Sequence, residues 1–372
     1  MATFETSLKS RLIYVFAIPD EWHKDCLKVG ETTLEEDDGN FPLPNSEVLN
    51  KAACDRIDQY TKTAGIAYNL LHTEMTVFFK GGTISSFNDK QVHSVLERSG
   101  VKKKTFDTVK GANEWFCCDL ETVKKAIHAV KNGRNSLNAS DISYTQTPII
   151  FRPEQQAAID KTKKQFKKGA QMLWNAKMRF GKTLCALRVA RDLEMRRTII
   201  LTHRPVVDES WFEDFGKIFY DRTDYHYGSR TKGEDFTSLE RLAKKGDRYV
   251  YFASMQDMRG AQLVGGKFDK NNEVFSTDWD FLIVDEAHEG TRTELGESVI
   301  KELTKANTKV LKLSGTPFNL LDDYTEEETY TWDYTMEQRA KTEWDLLHMG
   351  DPNPYASLPA INIYGSADFP GW

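Results

Sequence analysis

The stretch MLWNAKMRFGKTLCALRVARDLEM, residues 172–195, decides the fold. An apolar run, MLWN, leads into AKMRFGKT from Ala176 to Thr183, and TLCALRVARDLEM continues as a helix. Strand, glycine-lysine-threonine loop and helix form the setting in which A/GxxxxGK[ST] cradles phosphates. Gly181 lets backbone N–H groups approach the phosphates. Lys182 supplies a point charge to the β and γ phosphates, and Thr183 offers a hydroxyl to Mg²⁺. The helix N-terminus adds a favourable dipole. Ala176 stands where the pattern usually has its first glycine. The loop predicts ATP and Mg²⁺ as ligands.

Further apolar runs follow at intervals: TIILT, YVYFAS, FLIVDE and VLKLSG. They do not alternate, as expected of strands covered on both faces. Helical stretches separate them, so the expected fold class is α/β, with helices packed on both faces of a parallel sheet. FLIVDEAH puts Asp285 and Glu286 at the end of such a run. A carboxylate there can hold Mg²⁺, and its neighbour can orient an attacking water. LKLSGTPF follows with Ser314, Gly315 and Thr316, and FRPEQQAAI precedes the loop with Gln155 opening a helix.

Upstream, RLIYVFAI, LKVGET and HTEMTVFFK read as strands, and EVLNKAACDRIDQYTKT, NDKQVHSVLERSG and LETVKKAIHAVKNG as helices. NGRNSLNASDISYTQTP is rich in Gly, Asn, Ser and Pro, a linker composition. The expected organisation is a small mixed α+β domain over 1–135, a linker over 136–148, a phosphate-loop lobe over 149–320 and an acidic, loop-like segment over 321–372.

The chain has 372 residues, 40% hydrophobic and 28% charged, which excludes wholesale disorder. No apolar run approaches the roughly 20 residues of a membrane helix. MATFETSLKSR has no signal-peptide core, so the expected location is cytoplasmic. Cys26, Cys54, Cys117, Cys118 and Cys185 form no CxxC pair, which argues for reduced thiols. A net charge of -6 argues against a general polyanion binder but leaves room for a local basic groove.

The order RPEQQ, AxxxxGKT, DEAH, SGTP resembles superfamily 2 helicases and translocases, particularly the motors of restriction enzymes. The resemblance covers residues 149 to 320, the first RecA-like lobe. It implies that Gln155 reads the adenine base and that Lys182, Thr183, Asp285 and Glu286 carry ATP hydrolysis. It further implies that His288, Ser314 and Thr316 couple hydrolysis to movement. Arg179 fits a phosphate contact or a structural role. Nucleic-acid contacts on this lobe would fall on Thr202, His203, Arg204 and Pro205, and on Ser254 and Gln256. KTKKQFKK reads as the solvated face of the helix after Gln155. Residues 319–372 are too few for the second lobe such motors use, and no QxxGRxxR-like segment appears. The chain therefore reads as the front of a longer protein, and alone it is expected to bind and hydrolyse ATP poorly.

The N-terminal segment resembles the GIY-YIG nuclease superfamily. Leu12-Ile13-Tyr14 aligns with the first motif and Lys28-Val29-Gly30 with the second. The resemblance implies that Tyr14 helps activate water, Arg56 binds the scissile phosphate and Asp89 holds a metal ion. Asp89 precedes His93 by four residues and shares its helical face. The departures are Leu12 for glycine, Lys28 for tyrosine and Asp89 for glutamate, an acid one methylene shorter. Trp115-Phe116 reads as core. The lysines at 102–104 fit a phosphate-contacting loop or a solvated surface.

Taken together, these resemblances imply an ATP-dependent DNA-processing enzyme of restriction or phage-defence type. Its partners would be double-stranded DNA, the second RecA-like lobe of the same polypeptide, and a methyltransferase or specificity subunit, with no membrane. Two alternatives stand beside it: an ATPase whose N-terminal domain binds nucleic acid without cutting, and an ATP-binding scaffold without catalysis.

Overall fold

The computed structural model describes residues 10–34, 41–106, 114–138, 141, 149–203, 205–268, 270–287, 294–315, 320–348, 351–356 and 358. By internal contacts the chain divides into two compact units. One is Met1–Gln146 with Val206–Phe252, the other Thr147–Pro205 with Ala253–Trp372. The division does not follow sequence order, because residues 206–252 cluster with the N-terminal residues.

The N-terminal part is built on a four-stranded antiparallel sheet. Its strands are β1 (Arg11–Ala17), β2 (Leu27–Thr33), β3 (Asn69–Met75) and β6 (Trp115–Phe116), in the order β3-β1-β2-β6. Alternate residues of β1 face opposite ways. Ile13 and Val15 join a core with Val92, Val95 and Leu96 of α2 (Asp89–Arg98) and Val123 and Ile127 of α3 (Leu120–Lys131). Leu12, Tyr14 and Phe16 pack instead with Leu49, Ala53 and Ile57 of α1 (Glu47–Thr61). Both faces of the central strand are therefore covered, which is why LIYVF is apolar throughout. Asn88 and Gln91 form a reciprocal capping box at the start of α2, fixing Asp89 as its first residue.

HTEMTVFFK does not form one strand. It breaks at Thr76, and Val77–Lys80 becomes β4, which pairs antiparallel with β5 (Thr83–Ser86) across Gly81-Gly82. Gly81 and Gly82 both have positive φ, so the turn chemistry overrides the continuous strand pattern.

The second sheet has the order β13-β7-β12-β11-β8-β10-β9 and is parallel. Its strands are β7 (Gln171–Ala176), β8 (Arg197–Thr202), β9 (Tyr225–Gly228), β10 (Arg248–Ser254), β11 (Phe281–Asp285), β12 (Lys309–Ser314) and β13 (Thr329–Trp332). This is the expected α/β class. Leu173, Trp174, Ile199, Ile200, Phe281 and Leu282 are fully buried, as non-alternating strands require. Helices α4 (Pro153–Gln165) and α5 (Lys182–Asp192) bracket β7 in sequence.

Two segments carry more structure than their composition suggests. Ser136 and Leu137, at the start of the expected linker, are both buried, and Leu137 joins the core around α2 and α3. The segment after 320 is not loop throughout. It carries β13 and a helix, Tyr334–Leu347, numbered α11 by its place in the chain after α6 (Asp208–Phe219), α7 (Phe236–Ala243), α8 (Met255–Arg259), α9 (Asn272–Ser276) and α10 (Glu294–Leu303). Asp333 caps α11, whose buried residue is the acid Glu337, and β13 is short and only half-buried, so neither gives a strong periodic signal. No helix among the described residues is long and apolar enough to cross a membrane.

Candidate active sites

Parallel pairing places the ends of four strands side by side. In register, Ser314 of β12 lies opposite Asn175 of β7, and Asp285 of β11 lies opposite Thr202 of β8. The motif residues follow these ends, where ligands of open α/β sheets collect. β12 alone separates the phosphate-loop strand from the strand bearing Asp285.

Gly181 caps α5 with φ 90°, and a Cβ there would lie 2.6 Å from Gln155 Nε2. Backbone conformation and crowding thus both demand glycine. The Lys182 ammonium donates to the Ala176 carbonyl at 2.8 Å. Burial pushes its pKa down, while the charges of Glu286 and then Asp285 push it back up. Lys182 is therefore desolvated and within reach of the charges of both acids. Gly315 adjoins the pair: a Cβ on it would lie 3.8 Å from both the Ala176 carbonyl and Lys182 Nζ. Thr183 is the second residue of α5. The Glu286 amide donates to Asp285 Oδ1 at 3.0 Å, and the Ala287 amide to the Leu313 carbonyl at 2.9 Å, tying the end of β11 to β12. Arg179 in the loop before Lys182 and Glu286 in the turn after β11 both hold positive φ, 64° and 49°, a strained conformation for residues other than glycine.

Gln155 works on the loop itself. Its Oε1 accepts the Arg152 amide at 2.8 Å and its Nε2 donates to the Phe180 carbonyl at 2.6 Å. The carboxamide has a second N–H beyond the one given to Phe180. Arg152 reaches the same Phe180 carbonyl at 3.0 Å. A second brace comes from residues that sequence reasoning missed. The Lys177 ammonium donates to the buried Glu337 of α11 at 2.5 Å, and the Lys177 amide to the Trp332 carbonyl at 3.0 Å. Tyr355 donates to Glu154 Oε2 at 2.7 Å. No local pattern marks Glu337, because its partner lies 160 residues away.

His288, Thr316 and Arg204 lie outside the described residues. Ser254 caps α8 by accepting the Asp257 amide at 3.1 Å, while Gln256 is exposed. The lysines after Gln155 are not simply solvated. Lys161 donates to the carbonyls of Glu326 and Thr329, and Lys163 pairs with Asp192.

In the first unit, Tyr14 of β1 lies directly opposite Gly30 of β2. A Cβ on Gly30 would sit 2.7 Å from the Tyr14 oxygen, so the phenol lies over the glycine. Burial raises the Tyr14 pKa, while hydrogen bonding to Tyr60 and the charge of Arg56 oppose the rise. Arg56 also donates to Gln59 at 2.8 Å. Lys28 lies 4.6 Å from the centre of the Tyr60 ring and 3.5 Å from Glu114. The structure therefore gathers Tyr14, Arg56 and Lys28 and adds Tyr60 and Glu114. Tyr60 could have been read from its position four residues after Arg56 on one helix face. Glu114 had no such signal.

Burial also raises the Asp89 pKa, with the neighbouring Glu31 charge adding to it and His93 opposing it. Glu31 accepts the Asp89 amide at 3.3 Å and Arg11 at 2.7 Å. His93 donates from Nε2 to the Val29 carbonyl at 2.8 Å, which ties α2 to β2. Among the described residues, no three His, Cys, Asp or Glu side chains gather at metal-binding distance. Asp89 and Glu31 are neighbouring carboxylates, and Mg²⁺ is commonly held by one or two carboxylates and several waters.

Fold and strand-end motifs together define a lobe of the α/β class with a phosphate-loop sequence between β7 and α5. Residues 148–319 match the family described as Type III restriction enzyme, res subunit. A curated protein of Mycoplasma pneumoniae, the C-terminal part of a putative type II restriction enzyme and methyltransferase, is 27% identical over 258 residues. That match covers 57% of this chain and 35% of the relative. The chain thus spans about a third of that relative's length. Among solved structures, the Sulfolobus solfataricus SWI2/SNF2 ATPase core in complex with dsDNA is 16% identical, with TM-score 0.36, covering 50% of this chain and 36% of that one. The ATP-dependent Type ISP restriction-modification enzyme LlaBIII bound to DNA is also 16% identical, with TM-score 0.32, covering 48% and 13%.

Proposed function

We propose that this chain is part of an ATP-dependent, restriction-type DNA-processing enzyme. The strand-end site would bind and hydrolyse ATP, and the first unit would cut DNA. The observation that carries the motor reading is Lys182 opening α5 after β7, beside Gly315, with β12 alone between β7 and the strand that ends in Asp285. Lys182 would exchange the Ala176 carbonyl for the β and γ phosphates. Thr183 and Asp285 would hold Mg²⁺, which supplies charge neutralisation on the phosphates. Glu286 would orient the attacking water, and Gln155 would read the base while holding the loop. Ser314, beside this site, would pass the change along β12, together with His288 and Thr316. Arginines that stabilise the transferring phosphate would come from a second RecA-like lobe. Double-stranded DNA would be the substrate and a methyltransferase or specificity subunit the partner; the match at 148–319 supports a restriction-type reading, and the restriction-methyltransferase relative supports a methyltransferase partner.

In the first unit, Tyr14 would help activate water, Arg56 would hold the scissile phosphate and Asp89 would bind Mg²⁺. The grip-only alternative is favoured by Lys28, which occupies the second-motif position and pairs with Glu114. The test of the motor is ATP turnover by the full-length protein with Lys182→Ala and Glu286→Gln, where wild-type rates in both would sink the assignment. The test of cutting is Mg²⁺-dependent nicking of plasmid DNA, expected to vanish in Asp89→Ala and drop in Tyr14→Phe. Nicking that neither change affects would reject these roles.

A further inference from the structure

Residues 206–252 lie inside the stretch that matches the restriction-motor family, yet they cluster with the N-terminal unit. Their most constrained piece is the loop after β9, Ser229-Arg230-Thr231-Lys232-Gly233. From the end of α2, the Arg98 guanidinium donates to four of its carbonyls: Gly233 at 2.6 Å, Ser229 at 3.0 Å, Arg230 at 3.1 Å and Lys232 at 3.3 Å. From the other side, the buried Asp208 carboxylate accepts the hydroxyls of Ser229 at 2.6 Å and Thr231 at 2.7 Å. Ser229 Oγ in turn accepts the amides of Thr231 and Lys232 at 3.1 and 2.8 Å. Gly233 completes the turn with φ 62°, where a Cβ would lie 2.0 Å from the Tyr227 carbonyl. A loop fixed this way loses its conformational freedom on folding rather than on binding.

The exposed residues at its tip are Arg230 and Thr231. With α2 they line a groove of about 630 Å³ that also contains Asp89 and Glu114 of the candidate cleavage centre and His93 beside them. Most charges in the groove are already matched. Lys103 pairs with Glu97 at 2.5 Å, and Glu114 with Lys28 at 3.5 Å. Arg230 and Lys90 have no ion pair among the described residues. The groove follows α2 from Asp89 to Arg98, about 14 Å at ~1.5 Å per residue. That length spans several phosphates of one strand, at about 3.4 Å of helix axis each.

We propose that the loop 229–233 is a phosphate clamp, with Arg230 gripping the backbone of a nucleic-acid strand that runs along α2 from the cleavage centre. This rests on the cutting or gripping reading of the first unit. It means that a segment supplied by the motor sequence completes the substrate path of the N-terminal unit. Planar, bidentate recognition of phosphate suits arginine, and a preorganised backbone suits a contact that must hold register.

The test is equilibrium binding of the full chain to a short DNA duplex, without ATP and in EDTA, between about 50 and 200 mM salt. Arg230→Ala is expected to weaken binding about five- to tenfold and to reduce the slope of log K against log salt by about one. Arg230→Glu should weaken it further, Arg230→Lys should retain the slope, and the exposed Lys245→Ala should leave both unchanged. Wild-type affinity and slope in both Arg230→Ala and Arg230→Glu would overturn the clamp. Nicking separates this from the parent reading. A wild-type protein that never nicks but loses binding in Arg230→Glu keeps the clamp and loses the nuclease. Intact nicking and binding in Arg230→Glu keeps the nuclease and loses the clamp.

Discussion

The two candidate sites solve the same problem, placing charged groups within a folded sheet, in opposite ways. In the phosphate-loop half, Asp285 and Ser314 end their strands and Glu286 and the loop follow theirs, so parallel register aligns them along one end of the sheet. In the N-terminal unit, Tyr14 and Gly30 are mid-strand residues, and Tyr14 is itself part of a hydrophobic core. A site at strand ends can lose a charged side chain without opening the core. A mid-strand site cannot change without changing packing. Chemistry and stability should therefore separate in the first case and travel together in the second.

The largest effect expected is on ATP turnover. In the full-length protein, Lys182→Ala and Glu286→Gln should each lower the rate about 10²-fold or more, as removal of a key electrostatic contact does. The melting temperature should barely move. A fall of many degrees alongside lost turnover would break the contrast.

The brace on the loop should behave differently. Glu337→Ala leaves Lys177 as an unmatched, partly buried cation, which costs about 3–5 kcal/mol and roughly 10 °C in melting temperature. Replacing both residues together, Lys177→Met with Glu337→Leu, should recover most of the loss, since an apolar pair needs no charge partner. Calorimetry of both variants decides this.

Gly30→Ala tests the mid-strand site. Its methyl would meet the Tyr14 phenol, so overpacking should cost about 1–3 kcal/mol. Any nicking activity should fall with stability while ATP turnover stays intact. Equal loss of both activities would argue against independent sites.

The smallest effect concerns Asp89. Its pKa is raised in the folded protein by burial and then by Glu31. Its contribution to stability is therefore fully present below the ordinary aspartate value, about 3.9, and is lost as pH rises through the folded value. In EDTA at neutral pH, Asp89→Asn should melt a degree or two higher than the parent. The difference should shrink toward pH 4. A variant that melts lower at pH 7 would contradict the desolvated placement.

Much of the second sheet was legible because its signals are local. FLIVD ends on Asp285 with Glu286 directly after the strand, and AKMRFGKT joins strand to helix without a gap. The first unit was legible in its elements and less so in its site. Tyr60 and Arg56 share a helix turn, but Glu114 reaches Lys28 only through the β2–β6 pairing. HTEMTVFFK misled because hydrophobic content shows that a segment is extended, not where a two-glycine turn folds it back. Ser136 and Leu137 misled because a polar neighbourhood outweighed one leucine in the composition.

By itself, the sequence determined the α/β class, the order of the phosphate loop, the acidic pair and the Ser-Gly segment, and the apolar strands that carry them. These are properties of contiguous residues, where periodicity and turn chemistry act over one or two turns of chain. Tertiary structure alone decided that Glu337 braces Lys177, that Glu114 joins Lys28 near Tyr14, and that residues 206–252 fold with the N-terminal unit. Each depends on a pairing across 80 residues or more. At that separation the chain's own entropy sets no preference, and only the packed sheets fix which groups meet.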